Sequence, residues 1–244
     1  MVSAVIVAGG NSTRFGAGKN KTLMLLDGKP VLSYSIRAFL KSSKTDELIV
    51  AAKSGEEKAV EEMIDECRRE MDPCSPGFSK PSRVVTGGQE RSESVLNALK
   101  AANGEIVLIQ DGARPFITEE MIEKCLEGLK TADGVTMAKG ATDTVKLSDD
   151  DLCVVSTTER SKTFNVQTPQ GFYREALIEL HTKRDSTLPA TDDCILLEEA
   201  GMKVRLIPSD GINLKITMPD DLALAEFYLD LMKKKNHEGN HIWK

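Results

Sequence analysis

Two short runs of this chain are apolar almost from end to end, and each stops at residues unsuited to a strand interior. Ala4–Ala8 runs into Gly9-Gly10, and Ile106–Gln110, apolar up to its last residue, runs into Asp111-Gly112. A strand with one wet face alternates apolar and polar residues, whereas a strand covered on both faces does not. These runs therefore predict central strands of a sheet with helices on either side. The segments between them fit. Pro30–Leu40 reads as a helix with proline in its first turn and Leu32, Ile36, Phe39 and Leu40 on its apolar face. Glu56–Met71 and Glu90–Ala101 read as amphipathic helices, the second burying Val95, Leu96 and Leu99. Thr118 caps a further helix, with Glu119 and Glu120 in its first turn, where carboxylates suit the helix dipole. Leu48–Ala52, Arg83–Thr86 and Gly134–Ala138 read as additional strands. The alternation predicts an α/β fold, with a mostly parallel twisted sheet and helices on both faces. Ligands in such folds bind at the carboxyl ends of the strands. Three glycine-bearing or charged loops fall there: Gly9–Lys21, Gly87–Ser94 and Asp111–Pro115.

The rhythm breaks after Ala138. Thr142–Leu147 and Val154–Thr157 flank Ser148-Asp149-Asp150-Asp151, which predicts a projecting β-hairpin whose three aspartates form a solvated turn. Asp72–Ser82, with Pro73, Pro76, Gly77 and Pro81, predicts a surface loop. A helix follows Gly171, then strands around Val204–Ile207 and Leu214–Ile216. The last helix starts near Pro219, with Leu222, Ala225, Leu229 and Met232 as its apolar stripe. The expected organisation is a single domain over residues 1–235, including a hairpin arm at about 139–162, and a tail over residues 236–244.

Charge limits the partners. Lys plus Arg number 32 and Asp plus Glu 38 in 244 residues, a formal charge of -6, which argues against a broad nucleic-acid surface. An anionic substrate must be held by a few placed cations. The five cysteines include no C-x-x-C pair and the three histidines are scattered, so free thiols in a reducing cytoplasm are expected and a structural zinc is not. The first residues lack a basic n-region and read as a strand, and no apolar run approaches the ~20 residues of a membrane span.

The first loop, Ala8-Gly9-Gly10-Asn11-Ser12-Thr13-Arg14-Phe15-Gly16-Ala17-Gly18-Lys19-Asn20-Lys21, combines glycines, which let backbone N–H groups approach phosphate oxygens, with the fixed charges of Arg14 and Lys21. Read alone, it is equally a glycine-rich turn with solvated cations. It is not a Walker A loop, because the first glycine position holds Thr13 and Asn20 follows Lys19. It is not a dinucleotide fingerprint either, since the second strand ends Ala51-Ala52-Lys53 without an acid. It resembles the A-G-G-x-G-x-R…P-K signature of sugar-phosphate nucleotidyltransferases. Further segments resemble one branch of that group, in order along the chain: Gly87-Gly88-Gln89-Glu90-Arg91-Ser92-Glu93-Ser94-Val95, Asp111-Gly112-Ala113-Arg114-Pro115, Asp143-Thr144-Val145-Lys146, Gln167-Thr168-Pro169-Gln170, Thr191-Asp192-Asp193 and Asn213-Leu214-Lys215-Ile216-Thr217. On these motifs the chain is similar to the 2-C-methyl-D-erythritol 4-phosphate cytidylyltransferases from Ala4 to about Asp230.

The resemblance implies a Rossmann-like nucleotidyltransferase fold and a specific reaction. The phosphate of a polyol phosphate attacks the α-phosphorus of CTP, and pyrophosphate leaves. Two anions must meet, so cations have to offset their repulsion and the charge that builds on the phosphoryl oxygens. The resemblance places Arg14 and Lys21 on the triphosphate and Lys215 at the reacting phosphates. It assigns CTP binding to Ala8, Gly9, Gly10, Gly88, Gln89, Ser94, Asp111 and Gly112. It assigns acceptor binding to Arg114, Thr144, Arg160, Thr168 and Thr191. It implies Mg²⁺, with Asp111 as the orienting carboxylate. Arg91 is expected to brace the CTP loop. Glu159-Arg160 read alone is a solvated hairpin edge; the resemblance makes it part of a dimerisation arm that serves the partner's site in a homodimer. Ser12 stands where the family usually has glycine, and could narrow the loop or add a hydroxyl donor. Asn20 stands where proline usually precedes the lysine, and is expected to loosen the approach to Lys21. A ribitol 5-phosphate cytidylyltransferase shares the chemistry, but Gly112-Ala113 and Asp143-Thr144-Val145-Lys146 favour the methylerythritol enzyme. A non-catalytic nucleotide-binding regulator need not keep Arg14, Lys21 and Lys215 together.

Overall fold

The computed structural model describes residues 1–9, 20–184 and 192–237, the last three by backbone alone. Gly10, Ser12, Arg14 and Thr191 lie outside the described residues. The apolar runs form the centre of a seven-stranded sheet. Its strands are β1 (Val2–Val7), β4 (Glu47–Ala52), β5 (Ser82–Thr86), β6 (Ile106–Asp111), β7 (Gly134–Gly140), β10 (Phe164–Tyr173) and β11 (Val204–Pro208). The order is β11-β7-β10-β6-β1-β4-β5. Pairings are parallel except those of β10, which runs antiparallel to both β6 and β7. Two minor pairs complete the strands: β2 (Leu25–Leu26) with β3 (Lys29–Pro30), and β8 (Lys146–Ser148) with β9 (Val154–Thr157).

Side-chain alternation divides the core in two. Ala4 and Ile6 of β1, with Leu48 and Val50 of β4, pack under α1 (Val31–Lys41), α2 (Glu57–Arg69) and α4 (Glu119–Leu129). Val5, Val7, Ile49 and Ala51 point the other way. They pack with α3 (Arg91–Ala101), α5 (Arg174–Lys183) and α6 (Cys194–Glu199). Both faces are apolar because both are covered, which is why the sequence shows runs rather than alternation. Thr118 caps α4 as expected, its hydroxyl accepting the Met121 N–H at 3.3 Å. A third cluster joins α7 (Pro219–His237) to the carboxyl-end loops: Ala225, Leu222, Leu229 and Met232 meet Leu26, Val31, Phe116 and Ile216. No described helix is long and apolar enough to cross a membrane.

Three differences from expectation bear on the site. β10 and α6 are elements that the sequence pattern conceals. Leu214–Ile216 is not a strand. The segment crosses the carboxyl ends of the strands, where no ladder is available, and is held singly: Asn213 accepts from Arg114 at 2.7 Å, and the Ile216 N–H donates to the Ala113 carbonyl at 2.9 Å. Its alternating pattern serves the third cluster instead. The hairpin forms, but its first strand begins at Lys146 rather than Thr142, and α7 reaches His237, past the start of the expected tail.

Candidate active site

The site grows from four strand ends. At the end of β1 lie Ala8 and Gly9, at the end of β5 Gly87 and Gly88, and at the end of β6 Asp111 and Gly112. The fourth contribution depends on β10 running backwards. Gln170 is paired with Ile109, so the early residues of β10 reach the level of the carboxyl ends of its neighbours. Thr168 thereby meets Asp111, whose N–H donates to the Thr168 hydroxyl at 3.1 Å, while that hydroxyl donates to Gln110 at 2.9 Å.

Ser94 holds the glycine loops in shape. It is fully buried; its hydroxyl accepts the Gly88 N–H and donates to the Glu90 carbonyl, each at 3.0 Å. A Cβ on Gly87 would stand 2.9 Å from that hydroxyl oxygen and 3.0 Å from the Ala52 carbonyl oxygen, so only glycine fits without displacement. The Gln89 N–H is taken by Glu93 at 2.7 Å. Gly112 donates its N–H to the Val7 carbonyl at 2.9 Å, and a Cβ there would stand 3.1 Å from the same oxygen.

Asn20 ties rather than loosens the approach to Lys21. Its side-chain oxygen accepts from the Thr22 N–H at 3.1 Å and the Thr22 hydroxyl at 2.8 Å. Its amide donates to the Ala8 carbonyl at 3.3 Å and to Glu56 at 2.5 Å. The side chain thus replaces the rigidity that a proline would supply, and Lys21 opens a short 3-10 turn beside β1.

Asp111 is the electrostatic centre. One carboxylate oxygen faces Arg91 at 3.2 Å; the other faces Lys215 at 2.7 Å and Arg114 at 3.7 Å. Burial works against the charged carboxylate, but Arg91, then Lys215 and Arg114, outweigh it and hold its pKa far below the usual carboxylate range. Arg91 also meets Asp193 at 2.7 Å. It therefore braces Asp111 against the start of α6, where the sequence had suggested a brace for the CTP loop. Asp193, Gln167 and Asn213 lie within the motifs quoted from the sequence, which assigned none of them a role.

Two clefts share one wall. The first is lined by Ala8, Lys21, Thr22, Gly112 and Ala113; the second, of about 400 Å³, by Arg114, Gln167, Thr168, Asp192 and Glu198. Arg91, Asp111 and Lys215 line both. Two ligands lodged in these clefts would meet at a group of three cations around one carboxylate. Thr144 and Arg160 line neither cleft. They pair with each other on the arm, the guanidinium donating to the Thr144 hydroxyl at 3.1 Å. Among the described residues no cluster of three or more His, Cys, Asp or Glu could hold a metal. Asp111 is the carboxylate of the shared wall, and Mg²⁺ is commonly held by one or two carboxylates together with substrate phosphates.

Cations placed at the strand ends suit a phosphate-bearing ligand, and by sequence the chain is a nucleotidyltransferase. The sequence model of the family described as 2-C-methyl-D-erythritol 4-phosphate cytidylyltransferase matches residues 2–231, and the chain belongs to that family. Curated relatives of that name include one from Caldanaerobacter subterraneus subsp. tengcongensis, 37% identical over 93% of this chain and 98% of its own. Another, from Clostridium acetobutylicum, is 39% identical over 97% of this chain and 99% of its own. The crystal structure of 4-diphosphocytidyl-2C-methyl-D-erythritol synthase from Anaerococcus prevotii matches with a TM-score of 0.80 and 29% identity, covering 94% of this chain and 98% of that one. The chain is a cytidylyltransferase. It moves the cytidylyl group of CTP to 2-C-methyl-D-erythritol 4-phosphate in isoprenoid biosynthesis.

Proposed function

We propose that CTP occupies the cleft beside β1 and Lys21, that the polyol phosphate occupies the cleft beside Arg114 and Thr168, and that Lys215 stands between the reacting phosphates. The observation that carries this reading is the wall common to both clefts, where Asp111 is ringed by Arg91, Arg114 and Lys215. An acceptor phosphate oxygen bonds to the α-phosphorus as the bond to the β-phosphate oxygen breaks, so no protein nucleophile is needed. Negative charge gathers at this wall. Arg91 is held by two carboxylates, whereas the Lys215 side chain is 37% exposed and is the cation best placed to turn from Asp111 towards a phosphate. Arg14 and Lys21 clamp the triphosphate. Ala8, Gly9, Gly10, Gly88, Gln89 and Gly112 leave space for the nucleotide, with Ser94 fixing the loop that carries Gly88 and Gln89. Asp111 is the carboxylate that would hold a Mg²⁺, which would supply neutralising charge.

The arm belongs to a homodimer. Leu147, Val154 and Val155 are exposed on the hairpin at 53%, 63% and 68%, and a two-stranded hairpin is marginal in water without something to pack against. Arg160 and Thr144, absent from this chain's clefts, would complete the acceptor site of the partner together with that chain's Thr191. The working compartment is the cytoplasm, in keeping with five cysteines that form no disulfide. The test is pyrophosphate release from CTP with each acceptor offered in turn. Turnover with 2-C-methyl-D-erythritol 4-phosphate well above that with ribitol 5-phosphate is expected; the reverse order would overturn the acceptor assignment.

A further inference from the structure

We propose that Asp193 is a positioning residue for the transfer: through Arg91 it fixes the Asp111 carboxylate, and through that carboxylate it sets Lys215 at the wall between the two clefts. The inference rests on the reading that Lys215 serves the reacting phosphates. It assigns a role to a residue that touches neither cleft.

The connection is a chain of charges drawn from four parts of the fold, its two carboxylates buried. Asp193, at the start of α6, accepts from the terminal nitrogen Nη1 of Arg91 at 2.7 Å. The same guanidinium, from the first residue of α3, meets Asp111 through Nε at 3.2 Å. Asp111, at the end of β6, meets Lys215 at 2.7 Å. A guanidinium is planar and rigid, so seating one edge on Asp193 fixes where the other nitrogen presents itself to Asp111. Lysine has no such fork and could satisfy only one of the two carboxylates at a time.

The neighbouring residue shows that capping α6 does not require Asp193. Asp192 performs the local work, accepting the Ile195 N–H at 3.3 Å and the Gln170 amide at 3.1 Å. Asp193 turns inward instead. Its side chain is 2% exposed, and its other oxygen lies 3.3 Å from His181 of α5. Its charged form is favoured despite burial, chiefly by Arg91 and then by His181. Neutral packing of similar volume would often be as stable as a buried ionic group. The geometry therefore points to orientation: without Asp193, Arg91 has one carboxylate instead of two, and Asp111 can tilt with Lys215 attached. Displacement of a reacting or stabilising group by ~1 Å can cost on the order of 100-fold in rate.

The experiment is a double-mutant cycle on kcat, measured by pyrophosphate release from CTP and 2-C-methyl-D-erythritol 4-phosphate at saturating substrates. Asp193→Asn keeps the shape and removes the charge. It is expected to lower kcat about 10- to 100-fold in the wild-type background and less than about twofold in Lys215→Met, because the group it positions is then gone. Arg91→Lys should repeat the pattern, and carries the test where Asp193→Asn does not fold. An ion pair that served only to stabilise the fold would cost the same factor in both backgrounds, and that additivity would overturn the proposal, as would an unchanged kcat in the wild-type background. A folded Lys215→Met enzyme with the wild-type rate would instead overturn the reading of Lys215 itself, and the positioning role with it.

Discussion

Arg160→Ala perturbs the arm at a point where the fold has little to lose. Arg160 lies in an exposed 3-10 turn, and its recorded hydrogen bond is the 3.1 Å contact to Thr144. Substitutions at such surface positions change stability by about 0.5 kcal/mol or less, so the melting temperature should hold. The acceptor side should suffer strongly. A charge-assisted contact to a phosphate is worth about 1.5–3 kcal/mol, which converts to roughly a 10- to 150-fold rise in the acceptor KM, with CTP binding nearly intact. If Arg160 serves the partner's cleft, complementation follows from symmetry. Random exchange of Arg160→Ala with Lys21→Ala subunits makes half of the dimers mixed, and each mixed dimer has one site with Lys21 and a native arm. About a quarter of wild-type activity should therefore return from two impaired preparations. The assay is pyrophosphate release after subunit exchange verified by mass-tagged chains. If Arg160 worked on its own chain, every site in every dimer would keep one defect. No recovery after verified exchange would refute the shared site while leaving the cytidylyltransferase assignment untouched.

Asn20→Ala should destabilise the protein by about 1–2 kcal/mol through the lost cap and the stranded Thr22 and Ala8 groups, lowering the melting temperature by roughly 2–8 °C for a chain of this size; a thermal melt together with the KM for CTP, expected to rise, checks it. Asp111 and Asp193 both have folded pKa values below their unfolded ones, so the stability they contribute is complete above about pH 4 and drains away as pH falls through the folded values. Denaturation midpoints measured between neutral pH and pH 2 should fall with acid, and Asp193→Asn should flatten that fall. Chelation of Mg²⁺ by EDTA should abolish turnover and leave the melting temperature unchanged, because a metal carried on phosphates is not coupled to folding; a large drop in melting temperature would point to a structural ion.

What was legible in the sequence follows from how locally each feature is caused. β1, β4 and β6 could be read because burial on both faces leaves a nearly pure apolar run. The glycines at the ends of β1, β5 and β6 could be placed because ligand sites in open α/β sheets follow strand ends. β10 was hidden for the opposite reason. Phe164–Tyr173 contains Gln167, Thr168, Pro169, Gln170 and Gly171, none of which signals a central strand. The amide nitrogen of its buried Gln170 is met from distant segments, by Thr136 and Asp192, each at 3.1 Å. Leu214–Ile216 carried the strand pattern without the strand, since its apolar residues answer to α7 and its backbone crosses the sheet ends. Arg91 and Asp193 both stand in motifs legible in the sequence, but their pairing, across 102 residues, was not. The arm residues Thr144 and Arg160 were placed by resemblance alone; the fold keeps them out of this chain's clefts.

The central claim is that Lys215, held by Asp111 between two clefts, drives cytidylyl transfer. Steady-state pyrophosphate release from CTP and 2-C-methyl-D-erythritol 4-phosphate by Lys215→Ala, with circular dichroism to verify the fold, tests it most directly. The lysine sits at a partly exposed loop position, so the fold should survive, and turnover should drop by about 10²–10³-fold, the usual loss for one preorganised charge donor. A folded Lys215→Ala protein that turns over at close to the wild-type rate would contradict the account.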